Sequence, residues 1–131
     1  MNENCLLFTG SKLGVFLSKE SPAWKYHGKI SSIWCYMQDE PKNQCKHWKQ
    51  RYNCIGSIWF SNNFWMIGDA KDIGSDACVI KAPGSNDQWP TDLNGNWLYW
   101  NPDSKEWIKA EIYIKVVFLQ ESLPYNRHCI V

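Results

Sequence analysis

The sequence lacks the features that identify most enzymes, membrane-spanning proteins and nucleic-acid-binding proteins. Its 14 basic and 13 acidic residues leave a net charge of +1 over 131 residues, so no strong positive field is available for nucleic acid. No stretch approaches the roughly 18 apolar residues of a membrane span. No Cys-x-x-Cys pair, nucleophile motif or metal signature occurs. We therefore expect a protein without enzymatic activity, cofactor, metal or nucleic-acid partner.

Cysteine is well represented for a chain of this length. The chain has six cysteines, an even count that is compatible with disulfides, although the connectivity is open among about 15 pairings. The first residues have neither a basic nor an apolar region, so we expect a mature secreted domain without its signal peptide, or else a cytosolic chain. The disulfide candidates are Cys5, Cys35, Cys45, Cys54, Cys78 and Cys129.

Short aromatic and β-branched runs between turn residues predict an all-β fold. The clearest hairpins join Ile55–Ser61 to Phe64–Gly68 and Trp97–Asn101 to Glu106–Ile108, and alternation in Glu111–Leu119 indicates one buried face. We expect one antiparallel domain over residues 1–131, a barrel or a sandwich with disulfide staples. A β-trefoil is the alternative, because the aromatic hairpins around Asn62 and Pro102 resemble each other.

Two regions have weaker patterns. Trp24–His27 alternates in polarity and predicts a strand that forms a hairpin with Ile33–Met37. The polar stretch 38–54, with Cys45 and Cys54, predicts a loop insertion, in which residues 43–52 are the only candidate for one or two helical turns. The segments 69–76 and 83–96 are rich in turn residues and predict loops.

Nine tryptophans are more than a small core easily buries, so some of them should form a binding surface. The segment from Trp89 to Trp107 combines indole rings, which pack on sugar C–H faces, with amides and carboxylates that can bind hydroxyls. Trp97 and Tyr99 share one strand face, and we expect that face outward if Leu98 is buried. The alternative is that all these aromatics belong to the core. The predicted ligand-binding residues are Trp89, Asp92, Asn94, Asn96, Trp97, Tyr99 and Trp107.

A basic cluster in the predicted loop is a second candidate surface. Its cations surround Trp48 and could bind a sulfated glycan or another anion by charge and stacking, or could simply be solvated. The residues of this predicted anion patch are Lys42, Lys46, Lys49 and Arg51.

From Phe8 to Val117, the order of aromatic signals resembles an aromatic-rich β-module that recurs in extracellular multidomain proteins of marine invertebrates and protists. The resemblance is carried by Gly14-Val15-Phe16, Tyr26-His27-Gly28-Lys29, Trp65-Met66-Ile67, the prolines Pro83 and Pro90, and the tryptophans Trp97 and Trp107. The segment with Cys45 and Cys54 departs from that pattern. The resemblance implies secretion and a binding or structural role.

Two functions are compatible with these patterns. The first is an extracellular binding or adhesion module, for which carbohydrate is the expected small ligand and another extracellular protein is a possible partner. The second is a structural protomer that assembles with copies of itself, favoured by the near-zero net charge and the apolar tail Cys129-Ile130-Val131.

Overall fold

The computed structural model describes residues 12–37, 47–50 and 56–117. These residues form nine β-strands and a few short helical segments. The helical segments are α1 (Trp24–His27) and three 3₁₀ helices at Gly28–Ile30, Ala70–Asp72 and Pro90–Leu93. The strands are β1 (Lys12–Leu17), β2 (Ser32–Tyr36), β3 (His47–Gln50), β4 (Gly56–Ser61), β5 (Phe64–Asp69), β6 (Ile80–Pro83), β7 (Leu98–Asn101), β8 (Glu106–Lys109) and β9 (Ile112–Val117).

All nine strands belong to one antiparallel sheet in the order β8-β7-β6-β5-β4-β3-β2-β1-β9. Each strand from β2 to β8 pairs with the strand before it, and β9 returns to pair with β1. The predicted all-β antiparallel fold is therefore confirmed. A single sequential sheet corresponds to neither a two-sheet sandwich nor a trefoil.

The connection between the two edge strands forces the sheet to curl. Only Ala110 and Glu111 separate β8 from β9, although these strands lie at opposite edges. In a flat sheet, eight strand spacings would hold the edges about 38 Å apart, whereas the three residue steps from Lys109 to Ile112 span at most about 11 Å. The sheet is therefore a half-barrel, and residues 106–117 form one extended run that pairs first with β7 and then with β1.

The concave face of the half-barrel holds the main core. Alternate residues of each strand point inward, as the period of two requires, and they include Trp34, Trp48 and Trp65. Trp48 contacts Trp65 and Trp89 edge-on, with ring centroids 5.9 Å and 5.8 Å apart. The predicted burial of alternate residues in β9 is confirmed by Ile112 and Ile114. Six of the nine tryptophans are buried, so most of them build the fold: Trp34, Trp48, Trp59, Trp65, Trp89 and Trp97.

Long connections cover the two ends of the half-barrel. The β1–β2 connection places Ala23 and Ile30 in the core at one end, and the β6–β7 connection places Trp89 and Leu93 there at the other. The ends are opposite because β1 and β6 run in opposite directions in the sheet. A smaller core lies outside the sheet, where Trp59, Met66 and Ile73 pack beneath the β5–β6 connection.

The predicted strand at Trp24–His27 is wrong, because these residues form the single turn α1 and β2 pairs with β1 instead. Pro22 precedes this turn, and the Ser21 carbonyl accepts a hydrogen bond from the Trp24 N–H. Four residues are too few to distinguish an alternating strand from a helical turn.

Within the predicted loop insertion at 38–54, residues His47–Gln50 form β3 rather than a loop or a helical turn. The cause is the side chain of Trp48, which is completely buried between β2 and β4. The rest of this segment, with Cys45 and Cys54, lies outside the described residues.

The predicted disulfide staples are not found in the described part of the chain. Cys35 and Cys78 are both half-buried free thiols, which leaves at most two bridges among the other cysteines. Cys5, Cys45, Cys54 and Cys129 lie outside the described residues.

Candidate functional site

The predicted carbohydrate site between Trp89 and Trp107 has its aromatic residues mostly inside the protein. Trp89 is buried, Trp97 is completely buried and Tyr99 is 2% exposed. The prediction that Trp97 and Tyr99 face outward is therefore wrong. Tyr99 pairs with Ile80 and Ile108 and belongs to the main core, where its ring stacks on that of Tyr26 with centroids 6.4 Å apart.

The polar residues of the predicted site have structural partners. The Asp92 carboxylate accepts a hydrogen bond from the Trp89 N–H at 2.9 Å. Asp92 thereby caps the start of its own 3₁₀ helix, Pro90–Leu93. The Asn94 side chain bonds both backbone groups of Ile114, accepting from its N–H at 2.7 Å and donating to its carbonyl at 2.9 Å. Asn96 is exposed beside the turn. These side chains fix the covering loop in place.

The half-exposed aromatic residues of this segment lie in the β7–β8 hairpin, on the convex face of the sheet. Trp100 and Trp107 are direct partners across β7 and β8, with ring centroids 5.5 Å apart and planes inclined by 60°. Both are half-exposed, as is Leu98 on the same face of β7. We call this surface the outer tryptophan face and define it as Phe64, Lys81, Leu98, Trp100 and Trp107.

Lys81 lies between two rings of this face. Its Nζ is 4.3 Å from the ring centroid of Trp107 and 4.6 Å from that of Phe64, both within cation–π range. Over residues 12–37, 47–50 and 56–117, the only salt bridge joins Lys25 to Asp103. The Lys81 ammonium therefore forms no salt bridge with a described carboxylate.

The turn from β7 to β8 presents Trp100 and Trp107 on an ordered frame. The Asn101 side-chain oxygen accepts hydrogen bonds from the N–H groups of Asp103 and Ser104 at 2.9 Å and 3.1 Å. The Lys105 N–H donates to the Asn101 carbonyl at 2.7 Å, and Lys105 takes a positive φ of 59°. Asn101 thus acts as the Asx anchor of the turn.

Helix α1 braces this hairpin from the end of the half-barrel. The Tyr26 hydroxyl donates a hydrogen bond to the Asp103 carboxylate, which also forms the exposed salt bridge with Lys25 at 3.7 Å. The Asp103 hydrogen bond raises the pKa of Tyr26, because it stabilises the protonated phenol. His27 Nε2 lies 2.8 Å from the Trp100 carbonyl oxygen. These contacts hold the backbone at Trp100 and the turn after it.

An open cavity of about 650 Å³ adjoins α1. The groups there that are best suited to bind a ligand, the Tyr26 hydroxyl and His27 Nε2, already contact the β7–β8 hairpin. The cavity is thus a less complete site than the outer tryptophan face. Its lining residues are Trp24, Lys25, Tyr26, His27, Gly28, Lys29 and Ile30.

Of the predicted anion patch, the structure describes only Lys49, which lies half-buried on β3. Lys42, Lys46 and Arg51 lie outside the described residues. The expected stacking surface at Trp48 is wrong, since that side chain is 0% exposed.

Sequence reasoning found Trp107 but missed Phe64, Lys81, Leu98 and Trp100. The symmetric placement of Trp100 and Trp107 about the turn was the available signal, because such residues face each other across a hairpin. The position of Lys81 depends on strand pairing between β6 and β7, and no local pattern reports that pairing.

Within the described ranges, no cluster of three histidine, cysteine, aspartate or glutamate side chains could hold a metal ion. No helix in those ranges is long and apolar enough to cross a membrane. Comparisons with protein-family models, curated proteins and solved structures found no match.

Proposed function

We propose that the protein is a non-enzymatic binding module whose outer tryptophan face holds a carbohydrate. The observation that carries this proposal is the half-exposed pair Trp100 and Trp107 on a braced hairpin. Indole rings offer apolar area of the size and flatness of a sugar's C–H face while keeping one polar N–H group. Aromatic area left at the surface of a protein with six other tryptophans in its core favours a ligand surface.

The hairpin is also preorganised, which favours binding. Asn101 anchors the turn, and Tyr26 and His27 hold it from α1. A surface that is already ordered loses less conformational entropy when a ligand binds. Lys81 and Lys109 lie on the same face and supply donors for hydroxyl or anionic groups.

The test is a titration of intrinsic tryptophan fluorescence with neutral and acidic oligosaccharides. We expect a saturable change for at least one glycan, and about tenfold weaker affinity for Trp100→Ala and Trp107→Ala, a loss of about 1.4 kcal/mol. Tyr113→Ala is the matched control, because Tyr113 is a 55% exposed aromatic on β9. If no glycan binds, or if all three variants weaken binding equally, the proposal is wrong.

We propose an extracellular setting on the basis of the six cysteines. Intact-mass measurement of the protein from its native source, with and without reductant, tests it. A gain of two or four hydrogens on reduction supports the extracellular setting, and an unchanged mass contradicts it.

The second candidate function is self-association, which the exposed aromatics of β1 and β9 favour. Phe16 and Tyr113 are 45% and 55% exposed and lie directly opposite each other in the strand pairing. Sizing at several dilutions tests this function. A concentration-dependent oligomer that Phe16→Ser with Tyr113→Ser dissolves supports it, and a monomer at every concentration excludes it.

A further inference from the structure

We infer that the saccharide bound at the outer tryptophan face is anionic, carrying carboxylate or sulfate groups. The inference rests on the proposed function and narrows its ligand class. It comes from the position and the charge of Lys81, which the sequence did not single out.

Lys81 covers part of the ring that a neutral sugar would stack on. Its ammonium lies 4.3 Å from the centroid of Trp107, while Trp100 packs against the same ring with centroids 5.5 Å apart. A neutral sugar must displace Lys81 to reach this ring face and so loses the cation–π contact. An acidic sugar can leave Lys81 in place and use its charge.

A second cation extends the same surface. Lys81 pairs with Leu98, and Leu98 pairs with Lys109, so the two lysines project from one face two strands apart. Two strand spacings separate their backbones by about 10 Å. This separation suits a chain of several sugars with repeated anionic groups better than a single ring.

No described carboxylate forms a salt bridge with Lys81 or Lys109, and the exposed Glu111 lies two residues after Lys109 in the same extended run. Asp103 is paired with Lys25, and Asp76 accepts hydrogen bonds from Ser61 and Asn62. Glu106 alternates onto the other face of β8 from Trp107 and Lys109. Lys81 and Lys109 therefore give the outer tryptophan face two cations without a described salt-bridge partner, and these cations complement an anion.

Calorimetric titration compares a heparin-derived hexasaccharide, a hexamer of galacturonic acid and neutral cellohexaose. We expect the wild type to prefer an acidic hexamer, and the two acidic sugars separate sulfate from carboxylate recognition. Lys81→Met keeps an unbranched apolar stem against Trp107 but removes the charge. It should weaken the acidic hexamer about tenfold and leave cellohexaose binding unchanged or tighter, because the indole face is uncovered.

Lys115→Met is the matched control, since the Lys115 ammonium lies 5.8 Å from the Phe16 ring, on β9 and β1 and outside the outer tryptophan face. It makes the same charge change and should leave acidic binding unchanged. Lys109→Met should weaken acidic binding by a smaller factor and keeps the test decisive if Lys81→Met does not fold.

The outcomes separate this inference from the proposed function. Wild-type preference for cellohexaose, or equal losses in Lys81→Met and Lys115→Met, overturns the anionic inference and leaves carbohydrate binding standing. Binding of no hexamer at all overturns both. Selective loss of acidic binding in Lys81→Met supports both.

Discussion

A single side chain, the amide of Asn94, covers part of the exposed edge of β9. It replaces a neighbouring strand by bonding both the N–H and the carbonyl of Ile114. Because a bare strand edge can pair with another chain, this contact also opposes edge-to-edge association. Self-association through this part of β9 is therefore disfavoured, unlike association through the exposed Phe16 and Tyr113.

Replacing Asn94 with alanine should lower the free energy of unfolding by about 1 to 3 kcal/mol, since two backbone groups lose their partner. Asn96→Ala is the control, because Asn96 is exposed on the same loop, and it should change stability by less than about 0.5 kcal/mol. Urea unfolding measures both. Equal effects in the two variants would show that the Ile114 contacts add nothing.

The thiol of Cys78 should be unreactive in the native protein. Burial raises its pKa to about 11 from an ordinary value near 9, which lowers the thiolate fraction about a hundredfold at pH 8. Iodoacetamide labelling followed by peptide mass spectrometry measures its rate. We expect slow native labelling that accelerates up to pH 11, and fast labelling at pH 8 in urea. Labelling at pH 8 that is equally fast with and without urea would contradict this prediction.

At the residue scale, the sequence predicted which residue types matter but not which way they face. Alternation correctly predicted that Leu98 and Trp100 share one face of the strand and that Trp97 and Tyr99 share the other. The choice between the two faces was wrong, because a leucine was expected inside in preference to Tyr99. Tyr99 is inside because β6 and β8 supply Ile80 and Ile108 beside it, and these neighbours are known only once the strands are paired.

Among the elements, the β4–β5 hairpin shows the most direct link from sequence to structure. Asn62 and Asn63 take positive φ values of 53° and 69°, as the predicted two-residue turn requires. Asn63→Gly should therefore leave stability within about 0.5 kcal/mol of the wild type, whereas Asn63→Val should cost about 1 to 2 kcal/mol. Thermal unfolding of both variants measures the difference. A valine variant as stable as the glycine variant would contradict the turn geometry.

The pKa of Tyr26 reports on the contact between α1 and the β7–β8 turn. Since the hydrogen bond to Asp103 raises the pKa of Tyr26, Asp103→Asn should lower that pKa toward the ordinary value for tyrosine. NMR titration of the Tyr26 ring resonances measures it, and the Tyr26→Phe spectrum assigns them. An unchanged Tyr26 pKa in Asp103→Asn would mean that the brace is absent in solution.

Hairpins with strong turn residues were predictable, whereas α1 and β3 were not. The turns at Asn62–Asn63 and at Pro102 are indicated by the turn residues themselves. The segment Trp24–His27 is too short for its periodicity to decide between helix and strand. The basic residues around Trp48 suggested a loop, although the burial of that one indole between neighbouring strands outweighs their polarity.

At the scale of the whole molecule, closure of the curled sheet depends on residues 106–117. This run pairs with β7 through its first part and with β1 through its second part, with Ala110 buried where the partner changes. The sequence predicted two strands here, but the change of partner joins residues far apart in the chain and has no local signature. The all-β class was therefore predictable, and the half-barrel was not.

The same architecture sorts the tryptophans into structural and surface groups. Six are buried, either in the main core or in the smaller core beneath the β5–β6 connection. Trp24, Trp100 and Trp107 are half-exposed. If the outer tryptophan face is the ligand site, a ligand should perturb Trp100 and Trp107 and leave the buried six unchanged.

The indole N–H resonances of ¹⁵N-labelled protein measure this most directly, because each tryptophan gives its own signal and Trp→Phe variants assign them. During titration with the heparin-derived and galacturonic acid hexamers, we predict the largest shifts at Trp100 and Trp107 and none at Trp24. Shifts confined to Trp24, or no shift at any tryptophan with acidic or neutral hexamers, would contradict a carbohydrate site on the outer tryptophan face.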